Sequence, residues 1–126
     1  MASALRALAI DASRNGAVKV QRAIEARVPP LSEEQELAIY RIAQEAMTNA
    51  LRHADAHNVV LGLAVEGSEV VLRVRDDGRG FAPDSIDDGL GLRMMHERAV
   101  LAGGLLEVET APRQGTEVLL RVAATT

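Results

Sequence analysis

Apolar residues recur along this chain with two periods, and the switches between them mark out its elements. Leu5, Leu8 and Ala12 stand at helical spacing and predict a helix over residues 3–14. Val18, Val20 and Ile24 share the parity of a strand, although Arg22 breaks the apolar face. Pro29-Pro30 stops that segment. Ser32 then stands three residues before Gln35, the spacing of a capping box, and Glu33 and Glu34 suit the positive end of a helix. A helix is therefore predicted from about Glu33 to His53. Beyond it Val59, Leu61, Leu63 and Val65 alternate as one strand and Val70, Leu72 and Val74 as the next, with Gly67-Ser68 as the tight turn between them. Residues 77–91, rich in glycine and aspartate, read as a polar loop. Leu92, Met95, Ala99 and Ala102 follow at helical spacing, in a helix that Gly103-Gly104 can end. Leu106 and Val108, and then Val118, Leu120 and Val122, close the chain with two strands. This order predicts an α+β fold, a two-layer sandwich with helices packed on one face of a mixed, mostly antiparallel sheet.

Composition narrows the function classes. At 126 residues and 48% hydrophobic content the chain is one domain with enough apolar side chain for one core, which excludes a multidomain enzyme. Tyr40 and Phe81 are the only aromatics, so base stacking on aromatic rings is not its strategy. A net charge of −4 has the wrong sign for gripping a nucleic-acid backbone. The lack of cysteine removes disulfides, thiol catalysis and cysteine zinc sites, and fits a cytoplasmic setting. No apolar run approaches the ~20 residues of a membrane span, so no membrane contact by this domain is expected. Lys19 is the only lysine, which leaves little room for a phosphate-gripping lysine of the usual nucleotide-loop kind.

Several polar groups fall where apolar ones would be expected. On a helical wheel Ile39, Ala43, Ala46, Met47, Ala50 and Leu51 form an apolar arc, and Glu45, Asn49, Arg52 and His53 cluster opposite it. A solvated face explains those four, but Ala38 and Ile42 share their arc, as they would on the wall of a ligand cleft. Asp76 is in phase with Val70, Leu72 and Val74, and Thr116 with Val118, Leu120 and Val122, so both side chains are expected to project into the covered layer. Each alone fits a locally satisfied strand end. Together they suit a planar, amino-bearing ligand such as adenine, Asp76 accepting from the amino group and Thr116 supplying a hydroxyl. Gly78 and Gly80 would let such a ligand approach the backbone. Gly89-Leu90-Gly91, directly before the expected helix, would offer free N–H groups to phosphate.

In order, Glu45-Ala46-Met47-Thr48-Asn49-Ala50-Leu51-Arg52-His53, Asp76-Asp77-Gly78-Arg79-Gly80-Phe81, Gly89-Leu90-Gly91-Leu92 and Gly115-Thr116 resemble the motifs of the ATP-binding domain of sensor histidine kinases. That domain has the Bergerat fold shared with gyrase, mismatch-repair and heat-shock chaperone ATPases, and the resemblance covers about residues 33–122. The phrase from Arg41 to Ala54, the short stretch from Phe81 to Gly89, and Gly115-Thr116-Glu117-Val118 look most like the nitrate-sensor-like kinases, whose response regulators carry a helix-turn-helix output domain. The resemblance implies Asn49 as ligand of the magnesium that accompanies ATP and Glu45 as the catalytic polar residue. It also implies Asp76 and Thr116 around adenine, Gly78 and Gly80 beside base and ribose, Gly89, Leu90, Gly91 and Leu92 at the phosphates, and Arg52 and His53 as phosphate-side groups.

One departure from the family pattern matters. The phosphoacceptor histidine of these kinases lies on a dimerising helical hairpin ahead of this domain; His53 and His57 lack the acidic neighbour that follows it, and His96, though followed by Glu97, sits on the helix expected after the phosphate-side glycines. The chain is therefore expected to be the catalytic half of a kinase. Residues 1–15 would be an N-terminal helix or linker stub and residues 16–126 the catalytic domain, with little turnover by itself. Its partners would be ATP or ADP, the hairpin domain and, indirectly, the response regulator, with no nucleic acid. An anti-sigma-factor-type serine kinase and a non-catalytic ATP- or ADP-sensing module remain as alternatives.

Overall fold

The structure, a computed structural model, describes residues 1–14, 18–52, 56–78, 86–110 and 113–124, and for Arg52 and residues 86–90 the backbone. The elements run α1 (Ala2–Ser13), β1 (Lys19–Ile24), α2 (Glu33–Arg52), β2 (Asn58–Glu66), β3 (Glu69–Asp76), α3 (Ile86–Leu101), β4 (Leu105–Thr110) and β5 (Thr116–Ala123). The five strands form one sheet in the order β1-β2-β3-β5-β4. Only β1 and β2 are parallel, joined by the crossover that contains α2; the other pairings are antiparallel, giving the expected mixed sheet.

Strand parity decides which face is covered. Val59, Leu61 and Leu63 of β2, Val70, Leu72 and Val74 of β3, and Val118, Leu120 and Val122 of β5 stand in register and are buried. They share one core with Ile39, Ile42, Ala43 and Met47 of α2, Met95 and Ala99 of α3, and Leu5, Ala9 and Ala12 of α1. The opposite face carries charge, with Arg73 Nε 3.4 Å from Glu117 Oε1. The helices therefore lie on the apolar face, because only there can their own apolar stripes leave water.

The helix ends follow local chemistry. The Ser32 N–H donates to Gln35 Oε1 at 2.9 Å and the Gln35 N–H to Ser32 Oγ at 3.1 Å, so the capping box forms. Gln35 Nε2 also donates to the Ala123 carbonyl at 2.7 Å, tying the start of α2 to the end of β5. At the other end of the layer, Gly103 takes φ 67°, its N–H meets the Val100 carbonyl at 3.0 Å, and the Gly104 N–H meets that of Ala99 at 2.8 Å. Those are the two bonds of a Schellman cap, with glycine at its left-handed position.

One boundary differs from expectation. α3 begins at Ile86, so Gly89, Leu90, Gly91 and Leu92 lie within the helix and not ahead of it. Each glycine costs a helix interior about 1 kcal/mol. Met95 and Ala99 anchor the helix in the core, and that packing outweighs the glycines, so the helix end moves to Ile86.

Candidate functional site

The site is assembled at the end of the sheet where β3 and β5 leave the core. Asp76, the last residue of β3, pairs with Val59 on one side and Thr116 on the other, and Thr116 pairs with Thr110 of β4. The three polar residues form one row across three strands, in phase with the buried apolar rows. Asp76 is 7% exposed and is the only buried charged residue among those described. Its Oδ1 accepts the Gly78 N–H at 2.9 Å, so Gly78 is spent on holding the carboxylate as well as keeping the turn tight. Burial pushes the Asp76 carboxyl above the usual carboxylate range. Backbone hydrogen bonds from Gly78 and Thr116 oppose that rise, and the Asp77 charge adds a little to it. A carboxylate kept from water with acceptor capacity to spare is suited to an incoming N–H donor.

An open cavity of about 440 Å³ lies at this strand end, lined by Asp76, Thr110 and Thr116 and equally by Arg75, Glu109 and Glu117 of the neighbouring row. That is within the roughly 300–1,000 Å³ of small-molecule sites. Gly115 turns the chain into β5 at φ 80°, and a Cβ there would run into the Asp76 carbonyl. The close approach that seats Thr116 beside Asp76 therefore depends on glycine.

Asp77, which sequence reasoning left without a role, fixes the other side of the strand end. Its Oδ1 accepts the His57 and Asn58 N–H groups at 2.9 and 2.8 Å, and its Oδ2 accepts from Asn58 Nδ2 at 2.8 Å. The Asn58 side chain and backbone, with His57, hold the Asp77 carboxyl down to about 2. The two adjacent aspartates thus diverge by environment, one buried towards the cavity and one clamping the start of β2. Parity alone separates them, since Asp77 is out of phase with Val74 and Leu72.

The second group of site residues lies where α2 meets α3. Ala38 and Ile42 of the mixed arc are buried, which rules out a face turned wholly to water. Glu45 and Asn49, one turn apart on α2, are half-buried. Gly91 of α3 is buried against both: a Cβ there would lie 2.7 Å from Glu45 Oε1 and 3.6 Å from Asn49 Nδ2. The glycine sought as a phosphate loop is thus also the contact that lets α3 close on the two polar residues. Arg52 ends α2, and Gly89 and Leu90 lie in the first turns of α3. His53 and Gly80 fall outside the described residues. Thr110 was missed, although its phase with Leu106 and Val108 is the same signal that singled out Thr116.

The model of the family described as histidine kinase-, DNA gyrase B-, and HSP90-like ATPase matches residues 34–126. The chain belongs to this family. The sensor histidine kinase LiaS of Bacillus subtilis (strain 168) is 38% identical over 85 residues, 67% of this chain and 24% of LiaS. The sensor protein VraS of Staphylococcus saprophyticus is 32% identical over 115 residues, 90% of this chain and 33% of VraS. The chain thus spans about a quarter to a third of the curated relatives it matches. Among solved structures, the histidine kinase domain of the Erythrobacter litoralis EL346 blue-light activated histidine kinase superposes with a TM-score of 0.78 at 27% identity, covering 94% of this chain and 58% of that one. Full-length ShkA in complex with AMPPNP gives 0.77 at 25% identity, covering 99% and 30%. The family accounts for the fold: a mixed five-stranded sheet with its helices on one face is the histidine kinase ATPase domain architecture. Among the described residues no helix is long and apolar enough to cross a membrane.

Proposed function

We propose that this chain is the Mg-ATP-binding catalytic domain of a two-component sensor histidine kinase of the nitrate-sensor-like kind. In this reading it transfers the γ-phosphoryl of ATP to a histidine on a separate dimerisation domain, and residues 1–15 join the two. The parent kinase would work at the cytoplasmic side and pass the phosphoryl group to a helix-turn-helix response regulator. The observation that carries the reading is the buried Asp76 carboxylate, in register with Thr116 and beside a cavity of small-molecule size. Membership of an ATPase family, sensor-kinase relatives and the likeness to AMPPNP-bound ShkA support it.

Asp76 accepts a hydrogen bond from the exocyclic amino group of adenine, while Thr116 offers its hydroxyl to the ring, directly or through water. At the other end, Glu45 and Asn49 face the phosphates across Gly91, with Arg52, His53 and the first turns of α3 around Gly89, Leu90 and Leu92 as further phosphate-side groups. The donor set suits magnesium only in company. Among the described residues no three acidic or histidine side chains gather as a metal cage, so an Asn49 amide oxygen would share the ion with phosphate oxygens and water. When bound, magnesium supplies charge neutralisation on the phosphates. The Glu45 carboxylate can orient the N–H of an incoming imidazole, whose other nitrogen bonds to the γ-phosphorus as the bond to the ADP oxygen breaks.

Calorimetry of ATP and ADP with and without magnesium tests this. The wild type is expected to bind, Asp76→Asn to lose at least tenfold in affinity, and Asn49→Ala to lose the magnesium dependence. Unchanged affinity in Asp76→Asn would remove the adenine assignment.

A further inference from the structure

We infer that Asp77 is a positioning residue for base recognition: its clamp on the start of β2 fixes the turn that aims the Asp76 carboxylate. The inference rests on the adenine reading above. The β2–β3 ladder ends at the Val59–Asp76 pair, and Asp77 carries the connection one step further. Its N–H donates to the Asn58 carbonyl at 3.2 Å. Its carboxylate accepts from the His57 N–H at 2.9 Å and from the Asn58 N–H and Asn58 Nδ2 at 2.8 Å each. The other jaw is anchored in turn, since the His57 carbonyl accepts the Lys19 N–H of β1 at 2.9 Å.

The Asp76 side chain is aimed by backbone donors. Its Oδ1 accepts the Gly78 N–H at 2.9 Å, and the Thr116 N–H also bonds to its carboxylate. Thr116 is held by the β3–β5 ladder, whereas Gly78 lies past the end of β3, so the placement of Gly78 falls to the residue that links it to Asp76. That residue is Asp77. Its clamp is exposed, and water can satisfy the same N–H groups, so its net worth to the fold is modest. What water does not supply is a fixed direction: a short carboxylate that meets three donors holds its own backbone in one geometry. A hydrogen bond from the adenine amino group weakens steeply when misaligned. A small turn of Asp76 therefore costs affinity for that group and little for the rest of the nucleotide.

Two nucleotides separate this role from a plain strand-end lock. Purine riboside triphosphate has the ring of adenine without the amino group, so it reports on every contact except the one to Asp76. Calorimetry with magnesium compares it with ATP on three variants. Asp77→Ala removes the clamp. Asp77→Glu keeps the charge, but its extra methylene carries the carboxylate away from the three donors. Asp77→Asn keeps an oxygen for the His57 and Asn58 N–H groups, and a turned Asn58 amide can accept from its NH₂. Asp77→Ala and Asp77→Glu are each expected to weaken ATP by roughly three- to tenfold and to leave purine riboside triphosphate within about twofold. Asp77→Asn should hold both nucleotides within about twofold of wild type. If the alanine variant does not fold, the glutamate variant carries the comparison. Equal losses for the two nucleotides, a loss in Asp77→Asn as large as in Asp77→Ala, or a lowered melting temperature with both affinities intact would overturn the inference. Loss of ATP affinity in Asp76→Asn with none in the Asp77 variants defeats it and leaves the adenine reading standing. A wild type that binds no ATP, or binds the two nucleotides equally, defeats both.

Discussion

Asp76 and Asp77 show how far one position along a strand changes a side chain. Asp76 is raised chiefly because burial disfavours its charge, so its protonated form suits the fold. Its contribution to stability is fully present below the ordinary value of 3.8 and is lost as pH rises through the raised one. Asp77 has the opposite sign. Its contribution is present above 3.8 and is lost as pH falls towards about 2, damped by its exposure to solvent. An adenine amino donor needs Asp76 ionised, so ligand binding and ligand-free stability pull this group in opposite directions. Asp76→Asn is therefore expected to raise the melting temperature of the ligand-free domain at pH 7 while weakening ATP. In the wild type, ATP affinity should increase with pH across the raised Asp76 value, and that slope should vanish in Asp76→Asn. A ligand-free melting temperature lowered by the substitution would show that the carboxylate stabilises the fold instead.

Between α2 and α3 a packing decision has a chemical consequence. Gly91 is unfavourable for a helix, yet it is buried where a Cβ would press on the free end of Glu45. An alanine there gains up to about 1 kcal/mol of helix propensity, and a flexible carboxylate can swing aside at small cost. Gly91→Ala is thus predicted to leave the melting temperature unchanged or slightly higher. Phosphotransfer to a supplied hairpin domain should fall about ten- to a hundredfold, because Glu45 and Asn49 lose their placement. Retained phosphotransfer, measured with labelled ATP, would show that the glycine serves packing alone. The start of α3 follows packing in the same way: its glycines suggested a start near Leu92, but the helix, anchored by buried Met95 and Ala99, begins at Ile86.

In the molecule as a whole, α1 belongs to the same core as α2, α3 and the sheet. Leu5 is fully buried with Ala9 and Ala12, packed on β1 and α2. Leu5→Ala is expected to cost about 2–5 kcal/mol, read as a lower denaturant midpoint with an unchanged slope. A loss well under 1 kcal/mol would mark α1 as an appendage to the domain. The linker reading of residues 1–15 and the core position of α1 are compatible, since a connecting helix that also packs on the domain can couple its movement to the site.

The element order, the capping box at Ser32, the covered face of each strand and the inward phase of Asp76 and Thr116 were all legible in the sequence. Those features depend on periods of two and 3.6 residues and on caps that act over a few positions. Thr110 is equally legible by phase, since it shares the parity of Leu106 and Val108. Other features required the folded chain. The clamp of Asp77 on His57 and Asn58, the seating of Gly115 against Asp76 and the approach of Gly91 to Glu45 join residues far apart in sequence, through distances that no local pattern encodes. Amino-acid order determined which side chains face the covered layer, because backbone geometry is local. Only strand register and helix packing decided which of them meet, because contact depends on how separate elements share one core.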